Sequence, residues 1–159
     1  MSSVVEFRDV KLRTRAVLGG NKITAIDDGG LCIRIEAKDN KFILQNDHVA
    51  ILEAKRKFQC LEEGKPIISD KCLAQMTCEA LLARVVGFDQ TRETVIVIHA
   101  TQHYLCFLQF EISDEYIEDF GLDLPSSFIP VVATPWYDLS SESNRKQVVL
   151  NLCALMRRG

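Results

Sequence analysis

The stretch KDNKFILQNDHVAILEAK, residues 38–55, decides the fold that we expect for this chain. It contains two β-prone runs, 41–44 and 48–52, separated by Gln-Asn-Asp at 45–47. Asn and Asp tolerate the left-handed backbone conformation that tight turns require. The second run is apolar at consecutive positions, which is typical of a strand that is buried on both faces. The stretch therefore predicts a β-hairpin whose second arm lies inside a sheet.

Charged residues stand at the open end of this predicted hairpin. Asp39 precedes the first arm, and Glu53 and Lys55 end the second. A three-residue turn at 45–47 pairs Asp39 with Glu53, whereas a two-residue turn at 46–47 places the two acids on opposite faces. Lys55 lies two residues beyond Glu53, so both side chains point to the same face of the strand. The first register predicts a site of two carboxylates and one ammonium.

A pair of neighbouring carboxylates suggests a metal ion. Two such groups repel each other, and a divalent cation relieves the repulsion. Hard oxygen ligands that leave room for water and a phosphate suit Mg²⁺ or Mn²⁺ rather than zinc. We therefore expect Asp39 and Glu53 to bind Mg²⁺ or Mn²⁺, and Lys55 to position or polarise the attacking water.

With Asp39 as first acid and Glu53-Ala54-Lys55 as an E-x-K, the segment resembles the PD-(D/E)XK nuclease superfamily. That family has a restriction-endonuclease-like fold, a mixed sheet with such a hairpin at its centre and a helix after the lysine. The resemblance implies that Asp39, Glu53 and Ala54 bind the metal and that Asp39, Glu53 and Lys55 are catalytic. One departure is Lys38, which precedes the first acid where the family name has proline.

The helix after the lysine often carries a glutamine in this family, and Gln75 looks similar. Gln75 is therefore a fourth expected catalytic residue. Where lambda-exonuclease-like members show Q-x-x-x-Y, this chain has Glu79. The resemblance covers about residues 22–112 and is greatest to nuclease-like domains of fungal proteins. It implies hydrolysis of phosphodiester bonds in nucleic acid. We expect DNA as the partner, and the sequence alone does not distinguish DNA from RNA.

Other acids are alternatives for the first acid of the site. Asp27 and Asp28 belong to an Asp-Asp-Gly-Gly segment and otherwise serve as turn residues. Glu36 and Lys38 form an alternative acid–lysine pair. They belong to a predicted strand in which apolar and polar residues alternate, so we expect them to be surface charges. The family frequently has an acid on its first helix, and Glu6 is a weak candidate for it.

Two further alternatives concern the type of chemistry. A nucleophilic Cys-His pair could form between Cys106 and either His99 or His103, although a core cysteine beside a surface histidine fits the pattern better. The chain could also be an idle nuclease-like module that binds protein or nucleic acid within a larger assembly. The net charge of −3 favours this second reading but leaves room for a local basic groove, for which 8–15 and 55–57 are candidates.

The pattern of the whole chain predicts an α/β fold with a mixed sheet flanked by helices. The expected elements are an N-terminal helix over 4–18, strands at 22–26, 31–36, 93–100 and 104–112, a helix from Ser69 to Gly87, and a terminal helix over 144–156. The helix between the buried strand and the next strand predicts a crossover connection.

Composition predicts one globular domain over residues 1–159, with the nuclease-like core at about 22–112 and a C-terminal extension at 113–159. Hydrophobic residues make up 47% of the chain, and the six cysteines include no C-x-x-C pair. No apolar run approaches the length of about 20 residues that spans a bilayer, and the N-terminus lacks the features of a signal peptide. We therefore expect an intracellular protein, nuclear or cytoplasmic, without a membrane partner. The sequence gives no indication of the oligomeric state.

Overall fold

A computed structural model of the chain describes residues 3–36, 42–56, 60–87, 92–122 and 127–157. Eleven strands and three helices are found in these ranges. In chain order the elements are β1 (Ser3–Arg8), β2 (Leu12–Leu18), β3 (Asn21–Asp27), β4 (Gly29–Glu36), β5 (Phe42–Lys55), β6 (Cys60–Glu62), β7 (Lys65–Ile67), α1 (Asp70–Val86), β8 (Thr94–Thr101), β9 (Tyr104–Glu111), α2 (Asp114–Glu118), β10 (Val131–Ala133), β11 (Tyr137–Asp138) and α3 (Glu142–Met156).

Seven of the strands form one mixed sheet. Its order is β1-β4-β5-β8-β9-β10, and β11 also pairs with β9. Strands β5 and β8 are parallel, whereas the other pairs in the sheet are antiparallel. Helix α1 lies in the connection between β5 and β8, as parallel neighbours require. The predicted α/β class and the crossover are therefore confirmed.

Two apolar clusters cover the two faces of this sheet. On one face, α1 contributes Met76 and Ala80 to a core that includes Ile51 and Val97 of the central strands. On the other face, α3 contributes residues including Val148 to a second core. Because successive strand residues point to opposite faces, β5 and β8 supply both clusters. The central strands are thus buried on both sides.

The predicted N-terminal helix is wrong. Residues 3–8 form β1, an edge strand paired with β4, and residues 12–18 form β2, which pairs with β3 in a separate two-stranded ribbon. In β2, partly buried Leu12, Thr14 and Ala16 alternate with exposed Arg13 and Arg15. This period of two residues is typical of a strand with one covered face. It fits the segment better than the imperfect helical spacing of its apolar residues.

The predicted turn at 45–47 is also wrong. β5 is one continuous strand of 14 residues, in which Leu44 pairs with Arg34 and His48 pairs with Cys32 of β4. Two register shifts in the pairing accommodate the extra residues of β5, so the Gln-Asn-Asp segment lies in an irregular part of the strand. The hairpin therefore consists of β4 and β5, not of two halves of β5.

The β4–β5 pairing also bears on the predicted first acid. Glu36 pairs with Phe42 at one end of the hairpin, and Gly29 pairs with Leu52 at the other. Asp39 falls between Glu36 and Phe42 in the sequence and lies outside the described residues. The predicted pairing of Asp39 with Glu53 depends on a turn at 45–47, and β5 is a continuous strand there instead.

Most other predicted elements are confirmed. The strands at 22–26, 31–36, 93–100 and 104–112 correspond to β3, β4, β8 and β9, and the terminal helix corresponds to α3. Gly87 ends α1 by donating its N–H to the Ala83 carbonyl, with φ −58°. None of the helices in the described ranges is long and apolar enough to cross a membrane.

Helix α1 begins where the sequence predicts, because Ser69 caps it. The Ser69 hydroxyl accepts a hydrogen bond from the Cys72 N–H at 3.3 Å. We expect Ser69→Ala to lower the free energy of unfolding by about 1 kcal/mol, the usual contribution of such a cap. Chemical denaturation measures this loss, and Ser69→Asp, which can cap in the same way, is the control. An alanine variant as stable as the aspartate variant would contradict a capping role.

Candidate active site

Strand β5 carries two charged residues at its C-terminal end. Ile51 belongs to the core under α1, and Glu53 and Lys55 follow it at steps of two residues on the same face. The Glu53 side chain is 1% exposed, whereas that of Lys55 is 23% exposed and reaches the edge of the core. The predicted placement of Glu53 and Lys55 on one face is therefore confirmed.

Gln75 of α1 links these two residues. Its side-chain oxygen accepts a hydrogen bond from the Lys55 ammonium at 2.9 Å, and its amide nitrogen donates to Glu53 Oε1 at 2.9 Å. Lys55 also forms an ion pair with Glu53 directly. The structure thus brings together three of the four residues that the sequence predicts as catalytic.

Glu79, one helical turn after Gln75, is a second buried acid at this place. Its side chain accepts a hydrogen bond from the Gln75 amide at 2.9 Å, and the residue is 3% exposed. Burial and the nearby Glu53 carboxylate raise the pKa of Glu79 to about 8. One oxygen of Glu53 and one of Glu79, the Oε2 atoms, have no hydrogen-bond partner in the described parts of the chain. With its raised pKa, Glu79 holds a proton at neutral pH that it can share with Glu53, and a cation bound here would take the place of that proton.

Asp28 lies beside Glu53, at the start of the hairpin. Its backbone N–H donates to the Leu52 carbonyl at 3.0 Å, and its Oδ2 accepts from the Ala54 N–H at 3.0 Å. The next strand begins in close contact with β5, since a Cβ on Gly30 would lie 2.2 Å from the Ala50 carbonyl oxygen. Asp28, an alternative first acid in the sequence, thus occupies the position predicted for Asp39.

Lys11 completes a group of alternating charges. It forms an ion pair with Asp28 at 2.7 Å. Burial favours a higher pKa for Asp28, but Lys11 and the Ala54 N–H outweigh it and lower that pKa. Burial likewise opposes the charge on Lys55, yet Glu53 raises its pKa overall, with a smaller contribution from Asp28. The sequence motif gives no sign of Lys11, because its position depends on how β2 packs.

Asp27, the other alternative acid, has a structural role. Its Oδ1 accepts hydrogen bonds from the Arg8 side chain at 2.6 Å and from the backbone N–H groups of Leu12 and Gly29 at 3.2 and 3.1 Å. The residue is buried and joins the ends of three strands. Through Oδ1, Asp27 therefore holds the connection between the ribbon and the sheet.

The Cys-His alternative lacks a reactive thiol. His99 stands opposite Cys106 in the β8–β9 register, but its Nε2 lies 3.7 Å from Cys72 Sγ, and its Nδ1 lies 3.2 Å from the Glu53 carbonyl oxygen. His103 lies 3.9 Å from the Asp138 carboxylate at the end of the sheet. Burial raises the pKa of Cys106 to about 12 and also raises that of Cys72. Both thiols are therefore protonated at neutral pH and are poor nucleophiles.

The remaining candidate acids lie apart from this group. Glu6 is on strand β1 and not on a helix, and it forms an ion pair with Arg34 at 2.7 Å. Glu36 ends β4 at the opposite end of the hairpin from Glu53, and Lys38 lies outside the described residues. Neither the Glu6 nor the Glu36 alternative contributes to the site at Glu53.

The group consists of Asp28, Glu53, Lys55, Gln75 and Glu79, with Lys11 at its edge; we refer to it as the β5 site. In the described ranges, three or more His, Cys, Asp or Glu residues are nowhere arranged to hold a metal ion. The unpartnered Oε2 atoms of Glu53 and Glu79 nevertheless have the chemistry of Mg²⁺ or Mn²⁺ ligands, which are hard carboxylate oxygens.

Comparison of the chain with family models, with curated proteins and with solved structures finds no significant match.

Proposed function

We propose that this protein is a metal-dependent nuclease of the PD-(D/E)XK type, which hydrolyses phosphodiester bonds in nucleic acid, DNA rather than RNA. The single observation that carries the proposal is the hydrogen-bonded group of Glu53, Lys55 and Gln75 at the end of a central strand. The sheet also supports a restriction-endonuclease-like fold, since both strands of hairpin β4–β5 are inner strands and α1 follows Lys55.

Asp28 replaces Asp39 as the first acid in this proposal. It stands at the start of the hairpin, and its carboxylate accepts the Ala54 N–H between the two key residues of β5. Asp28 and Glu53 would bind Mg²⁺ or Mn²⁺ together with Ala54, and Glu79 supplies a further carboxylate. Such a cation, when bound, lowers the pKa of a coordinated water and neutralises charge on the phosphate.

Lys55 acts as a hydrogen-bond donor. An ammonium has three N–H groups, and Glu53 and Gln75 accept from two of them. The third is available to a water molecule or to a phosphate oxygen, because the side chain is 23% exposed. Glu53 raises the pKa of Lys55 against the effect of burial, so the group keeps its proton at neutral pH. Lys55 therefore orients the nucleophile and stabilises negative charge, and is not a general base.

A cleavage assay with two aspartate variants tests the proposal. We expect wild type to cut duplex DNA in Mn²⁺ or Mg²⁺ but not in EDTA. Asp28→Asn should lower the rate by about 100-fold or more, the usual effect of losing a metal ligand or its partner. Asp39→Asn makes the same chemical change and should cut like wild type. Loss of cleavage in Asp39→Asn alone would reverse the assignment, and a wild type that cuts neither DNA nor RNA would exclude a nuclease.

The second candidate function is an idle nuclease-like module, and one observation favours it. Asp28 and Glu53 each have an ammonium partner already, Lys11 for Asp28 and Lys55 for Glu53. These two ammonium groups neutralise the acids as a metal ion would, so the folded protein does not need a bound metal.

Calorimetric titration with Mn²⁺ separates the two functions. A nuclease should bind Mn²⁺ in the micromolar to millimolar range and lose that binding in Asp28→Asn, whereas Asp39→Asn should bind like wild type. An idle module should release or absorb no heat that depends on Asp28. Binding that is identical in all three proteins would place the metal elsewhere and contradict the proposed ligands.

A further inference from the structure

The β2–β3 ribbon concentrates positive charge. Residues 11–26 include the basic residues Lys11, Arg13, Arg15 and Lys22 and no acidic residue. The whole chain has 19 basic and 22 acidic residues, so the remainder carries 15 basic against 22 acidic. The negative net charge of the protein therefore conceals one segment of the opposite sign.

The basic side chains lie on one exposed face of the ribbon. Lys11, Arg13 and Arg15 are exposed and alternate with residues that are partly buried, so they follow each other at steps of about 7 Å along β2. On β3, exposed Lys22 pairs with Val17, which is also exposed. We call this surface the basic face; it consists of Lys11, Arg13, Arg15 and Lys22.

The ribbon has a fixed position on the protein. Its inner side packs on α1, where Leu18 is buried in the core and Ile23 packs against it. The tip touches the segment after α2, since a Cβ on Gly19 would lie 1.9 Å from the Phe120 carbonyl oxygen. The other end is tied to the sheet through the Lys11–Asp28 ion pair. The ribbon that carries the basic face is thus anchored along its inner side and at both ends.

This surface leads directly to the β5 site. Lys11 contacts Asp28, whose carboxylate accepts the Ala54 N–H, and exposed Arg56 is close enough to Lys11 to act on its pKa. Beyond Lys11, the side chains of Arg13, Arg15 and Lys22 make no ion pair with any part of the chain that the structure describes. Within the described ranges, three cations without an ion-pair partner therefore extend away from the site.

We infer that the basic face binds the sugar-phosphate backbone of double-stranded DNA and guides it to the β5 site, an inference that rests on the proposed function. Lys and Arg side chains contact phosphates without reading sequence. Residues 11–26 contain no aromatic residue, so this face lacks the stacking platform that typically binds single strands. Duplex binding should therefore be independent of sequence and strongly dependent on salt.

Binding of a fluorescent 20-base-pair duplex in EDTA, over a series of NaCl concentrations, tests the inference without any cleavage. For Arg13→Gln/Arg15→Gln we expect about tenfold weaker binding than wild type at 0.1 M salt. The slope of log K against log salt should become shallower by about 2, one for each lost phosphate contact. Arg13→Lys/Arg15→Lys keeps both charges and should bind like wild type.

Lys65→Gln/Lys146→Gln is the matched control, because it removes the same charge from exposed positions off the ribbon. An equal loss of binding in this control, or an unchanged salt slope in Arg13→Gln/Arg15→Gln, would overturn the inference. So would a wild type that binds phosphatidylserine vesicles but no duplex. A protein that binds duplex through Arg13 and Arg15 yet never cleaves would retain this inference and refute the nuclease proposal alone.

Discussion

Lys55→Met should lower the rate of metal-dependent cleavage by about 1000-fold, the size of effect seen when a preorganised donor to the reacting group is removed. Methionine matches the length of lysine but has no N–H group, so nothing replaces the donor beside Glu53 and Gln75. Lys146→Met is the matched control, since Lys146 is exposed and also pairs with a glutamate, Glu142, at 2.8 Å. Cleavage by this control should equal that of wild type.

The stability of Lys55→Met must be measured in parallel. Glu53 is 1% exposed and loses its cationic partner in this variant, which for a buried pair costs about 3–5 kcal/mol. Lys55→Arg avoids this cost because it keeps the positive charge. A planar guanidinium cannot place its donors as an ammonium does, so this variant should fold and still cut at least about tenfold more slowly. If folded Lys55→Arg cleaves as fast as wild type, the role of Lys55 is only to form a structural ion pair, and the predicted role as a donor in cleavage is wrong.

Glu53, Lys55 and Gln75 can be identified from the sequence because their placement depends on local structure. Glu53 and Lys55 are two residues apart on one strand, so their common face follows from the period of a strand. Gln75 lies on a helix whose start at Ser69 and end at Gly87 are marked by residues with clear capping chemistry. The placement of these three residues therefore does not depend on which strands pair, and the wrong prediction of the hairpin turn does not affect it.

The first acid could not be located in this way, because it depends on which strands pair. Gln45, Asn46 and Asp47 have the chemistry of a turn, yet β5 continues through them because β4 offers a partner along most of its length. Pairing with β4 over seven register positions outweighs the local preference of three residues. The acid beside Glu53 is consequently Asp28.

The N-terminal segment shows the same competition. Its apolar residues fit a helix loosely, but Leu12 to Leu18 can cover α1 only as a strand that pairs with β3. The position of Lys11 next to Asp28 follows from this packing and from no motif. Contacts between distant segments therefore supply the part of the site that the sequence did not reveal.

Glu79→Gln should raise the free energy of unfolding at pH 8 by a few kcal/mol in the presence of EDTA. The side chain is 3% exposed and faces Glu53, Gln75 and, more distantly, Asp27, so burial and these carboxylates raise its pKa to about 8. In the unfolded chain its pKa has the ordinary value of 4.5. Each unit of difference corresponds to about 1.4 kcal/mol.

The sign of the pH dependence follows from this difference in pKa. Between pH 4.5 and 8 the folded protein keeps a proton on Glu79 that the unfolded chain has lost, so this contribution to stability is greatest at low pH and falls as the pH rises. Glutamine mimics the protonated acid and can still accept the hydrogen bond from Gln75. The advantage of Glu79→Gln over wild type should therefore be near zero at pH 4.5 and grow steadily to pH 8.

Urea denaturation of wild type and Glu79→Gln at several pH values measures this growing difference, and subtraction removes the effects of other groups such as Asp28. Glu118→Gln makes the same change at an exposed position and should leave the difference flat. A flat difference for Glu79→Gln as well would mean that Glu79 is ionised in the folded protein. The two buried carboxylates would then repel each other without a shared proton, and the β5 site would need a bound cation for its stability.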